Sequence, residues 1–270
     1  MKLLSILLVG FLGVACSVDQ NKSPQSMNNS IKTEAITYTD GQTSMKGYVA
    51  YDSAISGKRP VVLVVHEWWG ETEYVKRRAR ELAALGYLAI AVDMYGDGKV
   101  AENPTDAKAM AMPFYSDPQM AKKRFDAALT AIKKYPQADN SKVAAIGYCF
   151  GGGILLNLAK LGEDLNGVVS FHGSLAGVPA TKGLLKAKVL VCHGEADKFV
   201  SPEDVAAFKK QMDSINADYA FKSYANATHA FTNPDATAIG KKFSMPIEYN
   251  EAADKASWKD MQDFFAKIFK

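Results

Sequence analysis

The strongest constraint on this chain is a set of short, mostly apolar runs at residues 61–65, 88–93, 143–147, 167–171 and 189–193. Each is about one strand long and lacks polar alternation, which suits a strand covered on both faces, as in a parallel sheet. Segments with helical spacing of apolar residues lie between or after them, at 74–85, 104–112, 120–135, 154–161, 203–214 and 249–269. The first of these stops at Gly86. Two short strands, 36–38 and 47–51, flank an Asp40-Gly41 turn, and 219–224 reads as a further strand. Alternating strand and helix is the signature of βαβ units. The expected fold class is therefore α/β, with a mostly parallel central sheet and helices on both faces. No linker interrupts the pattern beyond residue 30, which predicts one domain over 31–270.

The 270 residues are 48% hydrophobic and 23% charged, sufficient for a core of that kind. A net charge of +3, with scattered basic residues, argues against binding to nucleic acid or to an anionic membrane surface. The chain has no zinc-type Cys/His spacing, no glycine loop ending in Lys-Ser/Thr and no internal repeat. The sequence implies neither a metal site nor a cofactor.

The N-terminus has a different character. Lys2 is followed by an apolar run from Leu3 to Leu12 and then by Gly13-Val14-Ala15, the pattern of a secretory signal peptide. The run is short for a bilayer span. Cys16 sits at the expected cleavage point, so 1–16 resembles a bacterial lipoprotein signal, with Gly13 where such signals usually carry Leu. The resemblance implies export, with Cys16 as a lipid attachment site and the protein in the periplasm or anchored to its membrane. Cleavage without lipid and an uncleaved anchor are the alternatives. Residues 17–30, rich in Ser, Asn and Gln, read as a flexible tether. Membrane contact is expected only through that anchor.

Chemistry concentrates at Gly147-Tyr148-Cys149-Phe150-Gly151, a Gly-x-nucleophile-x-Gly pattern between a buried strand and a helix. A sharp strand-to-helix turn exposes the nucleophile, and the helix N-terminus favours negative charge on it and on the substrate. Asp197 follows the strand that ends near His193, where an acid can orient a catalytic histidine. His229 follows the next strand, in the position of a general base. The order nucleophile, acid, histidine is that of α/β-hydrolases. Among the four histidines, His193 is the main competitor for the base. The competing roles are a buried structural cysteine for Cys149, a turn cap for Asp197 and a Cys149–Cys192 disulfide.

With His66-Glu67-Trp68-Trp69-Gly70, Gly147-Tyr148-Cys149-Phe150-Gly151-Gly152, His193-Gly194-Glu195-Ala196-Asp197 and Thr228-His229-Ala230-Phe231, the chain resembles the dienelactone hydrolase family of α/β-hydrolases. The resemblance covers nearly all of 31–270 and implies the α/β-hydrolase fold. It also implies Cys149 as nucleophile, His229 as base, Asp197 as orienting acid and Glu67 as an extra carboxylate touching the resting thiol. It places the oxyanion hole at the backbone N–H groups of Trp68 and Phe150. An ionised Glu67 would oppose a second negative charge and hold Cys149 as a thiol until substrate arrives. A surface or capping carboxylate is the alternative for Glu67.

Family members that hydrolyse dienelactone grip its carboxylate with arginines. The corresponding stretches here, Met94-Tyr95-Gly96-Asp97-Gly98 and Ala230-Phe231-Thr232-Asn233-Pro234, contain none. A different or neutral small ester or lactone is the expected substrate, in a pocket lined by Trp68, Trp69, Tyr95 and Phe150. The expected function is hydrolysis through a Cys149–His229–Asp197 triad and an acyl-enzyme. The alternative is a non-catalytic binding lipoprotein that retains the fold. A thiol redox role lacks its Cys-x-x-Cys motif.

Overall fold

The computed structural model describes residues 30–270. The leader, Cys16 and all of the tether except Ser30 lie outside the described residues. One eight-stranded sheet runs in the order β1 (Ile31–Thr39), β2 (Ser44–Asp52), β4 (Leu88–Val92), β3 (Arg59–Val65), β5 (Ala138–Tyr148), β6 (Gly167–Phe171), β7 (Lys188–Gly194), β8 (Tyr219–Tyr224). β2 pairs antiparallel with β1 and β4, and every other pairing is parallel.

The apolar runs are explained by what covers them. Along β3, Val61, Leu63 and Val65 enter a core shared with Phe114 of α2 (Pro104–Ser116), Phe125 of α3 (Pro118–Ile132), Leu155 of α4 (Phe150–Lys160) and Phe208 of α5 (Pro202–Ser214). The alternate residues Val62 and Val64 enter a second core with Leu82 of α1 (Glu73–Ala84) and Phe265 of α7 (Glu251–Ile268). β5 divides in the same way, with Val143 and Ala145 on one side and Ala144 and Ile146 on the other. Both faces exclude water, so neither parity has a place for a polar residue. Each such Val or Leu contributes roughly 1.5–3 kcal/mol of burial.

β5 begins at Ala138 rather than 143 and α2 runs to Ser116 rather than 112, and three further departures have a local cause. β1 is longer than 36–38, because its exposed Lys, Glu and Thr residues hide an edge strand that pairs along its whole length with β2. α4 begins at Phe150 rather than near 154, its Gly151-Gly152-Gly153 stretch being helical. A short helix, α6 (Ala236–Phe243), was not expected; it packs Ala236 against Ala230 and Ile247.

Buried Arg78 ties the second face together. It pairs with Asp254 of α7, bonds Glu81 at 2.8 Å and donates to the Thr232 carbonyl at 2.9 Å, with the Trp258 ring 4.9 Å away. Removing one member of a buried pair leaves the other charge uncompensated. Arg78→Met is therefore expected to lower the unfolding free energy by about 3 kcal/mol in urea titrations, and Arg78→Met with Asp254→Leu to recover most of that loss. A single variant as stable as the parent would contradict this linkage.

Candidate active site

The chain leaves β3 toward β4 on one side, while β5 lies on the other. Such a reversal of strand order opens a crevice at the carboxyl ends of the strands. Glu67 follows β3, Cys149 follows β5, Asp197 follows β7 and His229 follows β8, so all of them reach that end of the sheet.

Cys149 caps α4 with φ 50° and ψ −110°, a conformation that a non-glycine residue holds only when its surroundings enforce it. Two glycines permit the turn. A Cβ on Gly151 would lie 2.3 Å from the Val65 carbonyl oxygen, and one on Gly147 would lie 2.4 Å from the Gly151 carbonyl carbon. The Gly151 N–H also donates to the His66 carbonyl at 3.0 Å, fastening the turn to the end of β3.

His229 donates from Nδ1 to Asp197 Oδ2 at 2.8 Å. The other Asp197 oxygen accepts the Phe199 N–H at 2.8 Å, which fixes the carboxylate. Burial opposes charge on His229, but Cys149 and Asp197 outweigh it and hold the imidazole well above its ordinary 6.5. This suits a ring that must accept a proton from the thiol. Cys149, His229 and Glu67 border one cavity.

Glu67 is buried, and the hydrogen bond the structure gives its side chain comes from Asn233 Nδ2, at 2.7 Å. Burial pushes its carboxyl up to about 7, against the Asn233 hydrogen bond and the positive charges of His229 and Arg78.

Among the described residues, no acceptor takes the backbone N–H of Trp68 or Phe150. Both are free to meet a developing oxyanion, and that of Phe150 opens helix α4, where the helix dipole adds to the effect. The Trp68 peptide is held from both sides. His66 contacts the Glu67 carbonyl through Nδ1 at 2.5 Å and accepts the Met94 N–H on Nε2 at 3.3 Å. Burial takes the His66 pKa down to about 4, so it stays neutral and keeps the acceptor that Met94 needs. Tyr95 Oη donates to the Trp68 carbonyl at 2.9 Å.

The cavity has a volume of about 180 Å³. Its wall is largely apolar, built from Trp68, Trp69, Tyr115, Phe199, Val200, Met245 and Ile247, and among the described residues no Arg or Lys borders it. Of the four aromatic residues expected at a pocket, Trp68 and Trp69 border this cavity, whereas Tyr95 and Phe150 do not. Tyr95 is packed against His66 and Phe150 with its hydroxyl spent on Trp68, and Phe150 is itself fully buried. His193 packs on Phe221 away from the cavity. Cys149 and Cys192 are both free; Cys192 is buried and accepts a hydrogen bond from Tyr224 at 3.6 Å, so no bridge joins them.

Sequence reasoning missed Asn233, His172, Tyr115, Phe199 and the Met245–Ile247 segment. His172 carried a usable signal, since it follows a buried strand as Glu67, Cys149 and Asp197 do. Asn233 lies in the stretch scanned for arginine, where an amide attracts no notice. Tyr115, Phe199 and Met245 arrive from elements whose approach to the crevice only the tertiary fold determines.

A family model for the dienelactone hydrolase family matches residues 45–269. The chain belongs to the dienelactone hydrolase family. A protein of Salmonella typhimurium provisionally named carboxymethylenebutenolidase is 29% identical over 236 residues, covering 83% of this chain and 83% of that one. A solved dienelactone hydrolase-like promiscuous phosphotriesterase from metagenomic libraries superposes with a TM-score of 0.83 at 36% identity, covering 89% of this chain and 99% of that one. A solved structure from Klebsiella pneumoniae, provisionally named a dienelactone hydrolase, gives a TM-score of 0.74 at 25% identity, covering 88% of this chain and 99% of that one. The fold is the α/β-hydrolase fold, and hydrolysis is the chemistry that family membership carries.

Because Glu67 ionises near pH 7, its like-charge effect on Cys149 should be present above that pH and absent below it. Glu67→Gln is expected to speed iodoacetamide alkylation of Cys149 several-fold at about pH 8 and to leave it unchanged at about pH 5.5. Equal rates at the higher pH would remove Glu67 from control of the thiol.

Proposed function

We propose that this protein hydrolyses small, uncharged carboxylic esters or lactones through a covalent acyl-enzyme on Cys149. The observation that carries the reading is the His229–Asp197 hydrogen bond at a cavity bordered by Cys149 and Trp68, with the Trp68 and Phe150 N–H groups taken by no acceptor among the described residues.

The steps follow from the geometry. The Asp197 bond keeps the proton of neutral His229 on Nδ1, leaving Nε2 as the base. Nε2 takes the thiol proton and Sγ attacks the ester carbonyl. The oxyanion is met by the Trp68 and Phe150 N–H groups, each such donor being worth about 100- to 1000-fold in rate. Collapse breaks the C–O bond, and His229 returns the proton to the leaving alcohol. Water then attacks the thioester with His229 again as base, releasing the acid and restoring the thiol.

The substrate class follows from the wall. A carboxylate-bearing substrate would lose hydration with no Arg or Lys among the described residues of the wall to meet it, and an ionised Glu67 would repel it. An apolar acyl group gains contact with Trp68, Phe199 and Met245 instead.

The same features favour a second substrate, a neutral phosphotriester. It too presents a polarised oxygen to the N–H pair and carries no charge, and the structural relative at 36% identity is named for that activity. For localisation we hold to the leader: residues 1–16 support export, and Cys16 supports a lipid anchor.

The test is a panel of p-nitrophenyl esters, an uncharged lactone, a carboxylate-bearing dienelactone and a p-nitrophenyl phosphotriester, with Cys149→Ala and His229→Ala alongside. Turnover of the uncharged esters should fall by about 1000-fold or more in both variants. The carboxylate-bearing lactone should be the poorest carbonyl substrate. Preference for the carboxylate would overturn the pocket argument. A folded protein with a titratable Cys149 and no turnover of any compound would favour the binding-protein reading.

A further inference from the structure

His172 is fully buried, follows β6 and has φ 41°, so a second non-glycine residue beside the elbow holds a left-handed backbone. The Cys149 N–H is shared between the Phe171 carbonyl at 3.0 Å and His172 Nδ1 at 3.1 Å. Nδ1 is thus an acceptor, and the ring's proton sits on Nε2. Nε2 lies 2.7 Å from Thr232 Oγ1, to which it donates. The Thr232 hydroxyl lies 2.6 Å from Tyr74 Oη, and the Thr232 carbonyl accepts from Arg78.

Thr232 belongs to the loop that carries His229. The His172 ring also packs edge-on against His229, with centroids 5.3 Å apart, and against Phe231 at 5.3 Å. One imidazole therefore connects the backbone of the nucleophile to the loop of the base, and braces the base from the side. Burial, together with the charges of His229 and Arg78, keeps His172 well below 6.5, so the Nδ1 acceptor is retained.

We propose that His172 is a positioning residue: with the Thr232 hydroxyl it sets the register between Cys149 and His229, and so controls proton transfer from the thiol rather than substrate binding. The inference rests on the Cys149–His229 couple proposed above. It needs neither a metal nor a charge on His172. A misplacement of about 1 Å between reacting groups can cost about a hundredfold in rate, which is the effect that such a brace prevents.

The test compares Thr232→Val, which keeps the shape and removes the hydroxyl, with Thr232→Ser, which keeps the hydroxyl, and with His172→Phe. Two readouts are taken on the full domain: ester kinetics, and alkylation of Cys149 by iodoacetamide, which needs no substrate. Thr232→Val and His172→Phe should each lower kcat between about ten- and a hundredfold with KM within about twofold, and should slow alkylation in parallel. Thr232→Ser should stay within about twofold of the parent in both, and the double variant should be no worse than the poorer single one. Alkylation separates the two ideas: if no ester is turned over, slowed alkylation in Thr232→Val with rescue in Thr232→Ser still supports the brace. Parent-like alkylation in both Thr232→Val and His172→Phe, or equal losses in Thr232→Val and Thr232→Ser, would overturn it. Circular dichroism and urea midpoints identify any variant that fails to fold, and the remaining variant then decides.

Discussion

At the carboxyl end of the sheet, helix α4 begins against the last residue of β3 with no room for a side chain between them. Gly151 sits so close to the Val65 carbonyl that a methyl group there would overlap it. This contact places the start of α4 beside the His66–Trp68 segment. It thereby brings Cys149, Glu67 and the N–H groups of Trp68 and Phe150 into one crevice. The cost is local: Cys149 takes a positive φ, and conformations of that kind cost of order 1–3 kcal/mol and persist only where the surroundings impose them. Hydrogen bonds from the Cys149 and Gly151 N–H groups to neighbouring strand ends supply that imposition.

The opposite wall of the site is the loop from His229 to Asn233, in which successive residues face different partners. His229 meets Asp197, Phe231 enters the core, Thr232 meets His172 and Arg78, and Asn233 meets Glu67. Buried polar groups of this kind are stable only when each finds a partner, and here each partner comes from a different element. The electrostatic result is a site with one favoured place for positive charge, His229, and a carboxyl at Glu67 whose ionisation lies near neutrality. The surrounding wall is apolar and uncharged, which strengthens both effects.

The parallel strands were legible because burial on both faces leaves an unbroken apolar run, as at 61–65 and 143–147. The placement of Cys149 and Asp197 at that end of the sheet was legible because each follows such a strand; His229 follows β8, a half-exposed edge strand, and was read from the order nucleophile, acid, histidine. The start of α4 was not legible, since only the tertiary fold, which sets Gly151 against Val65 and Gly152 against Ser170 and Gly173, explains why that helix must be glycine-rich. β1 was cut short because an exposed edge strand carries no apolar run. Tyr95 was assigned to the pocket on its chemistry and its neighbourhood, yet the tertiary fold turns it to the Trp68 carbonyl. Tyr115 and Phe199, from α2 and the loop after β7, instead form the aromatic rim. Helix α6 is only eight residues long and contains Gly240, too little periodicity to detect.

The account turns on a covalent bond to one sulfur. Its most direct test is rapid acid quenching of the parent protein during turnover of an activated ester, followed by intact mass and peptide mapping. The account predicts a mass increase equal to the acyl group, located on Cys149 and lost as substrate is exhausted. Sustained turnover with Cys149 unmodified at every quench time, or with the acyl group on another residue, would contradict it.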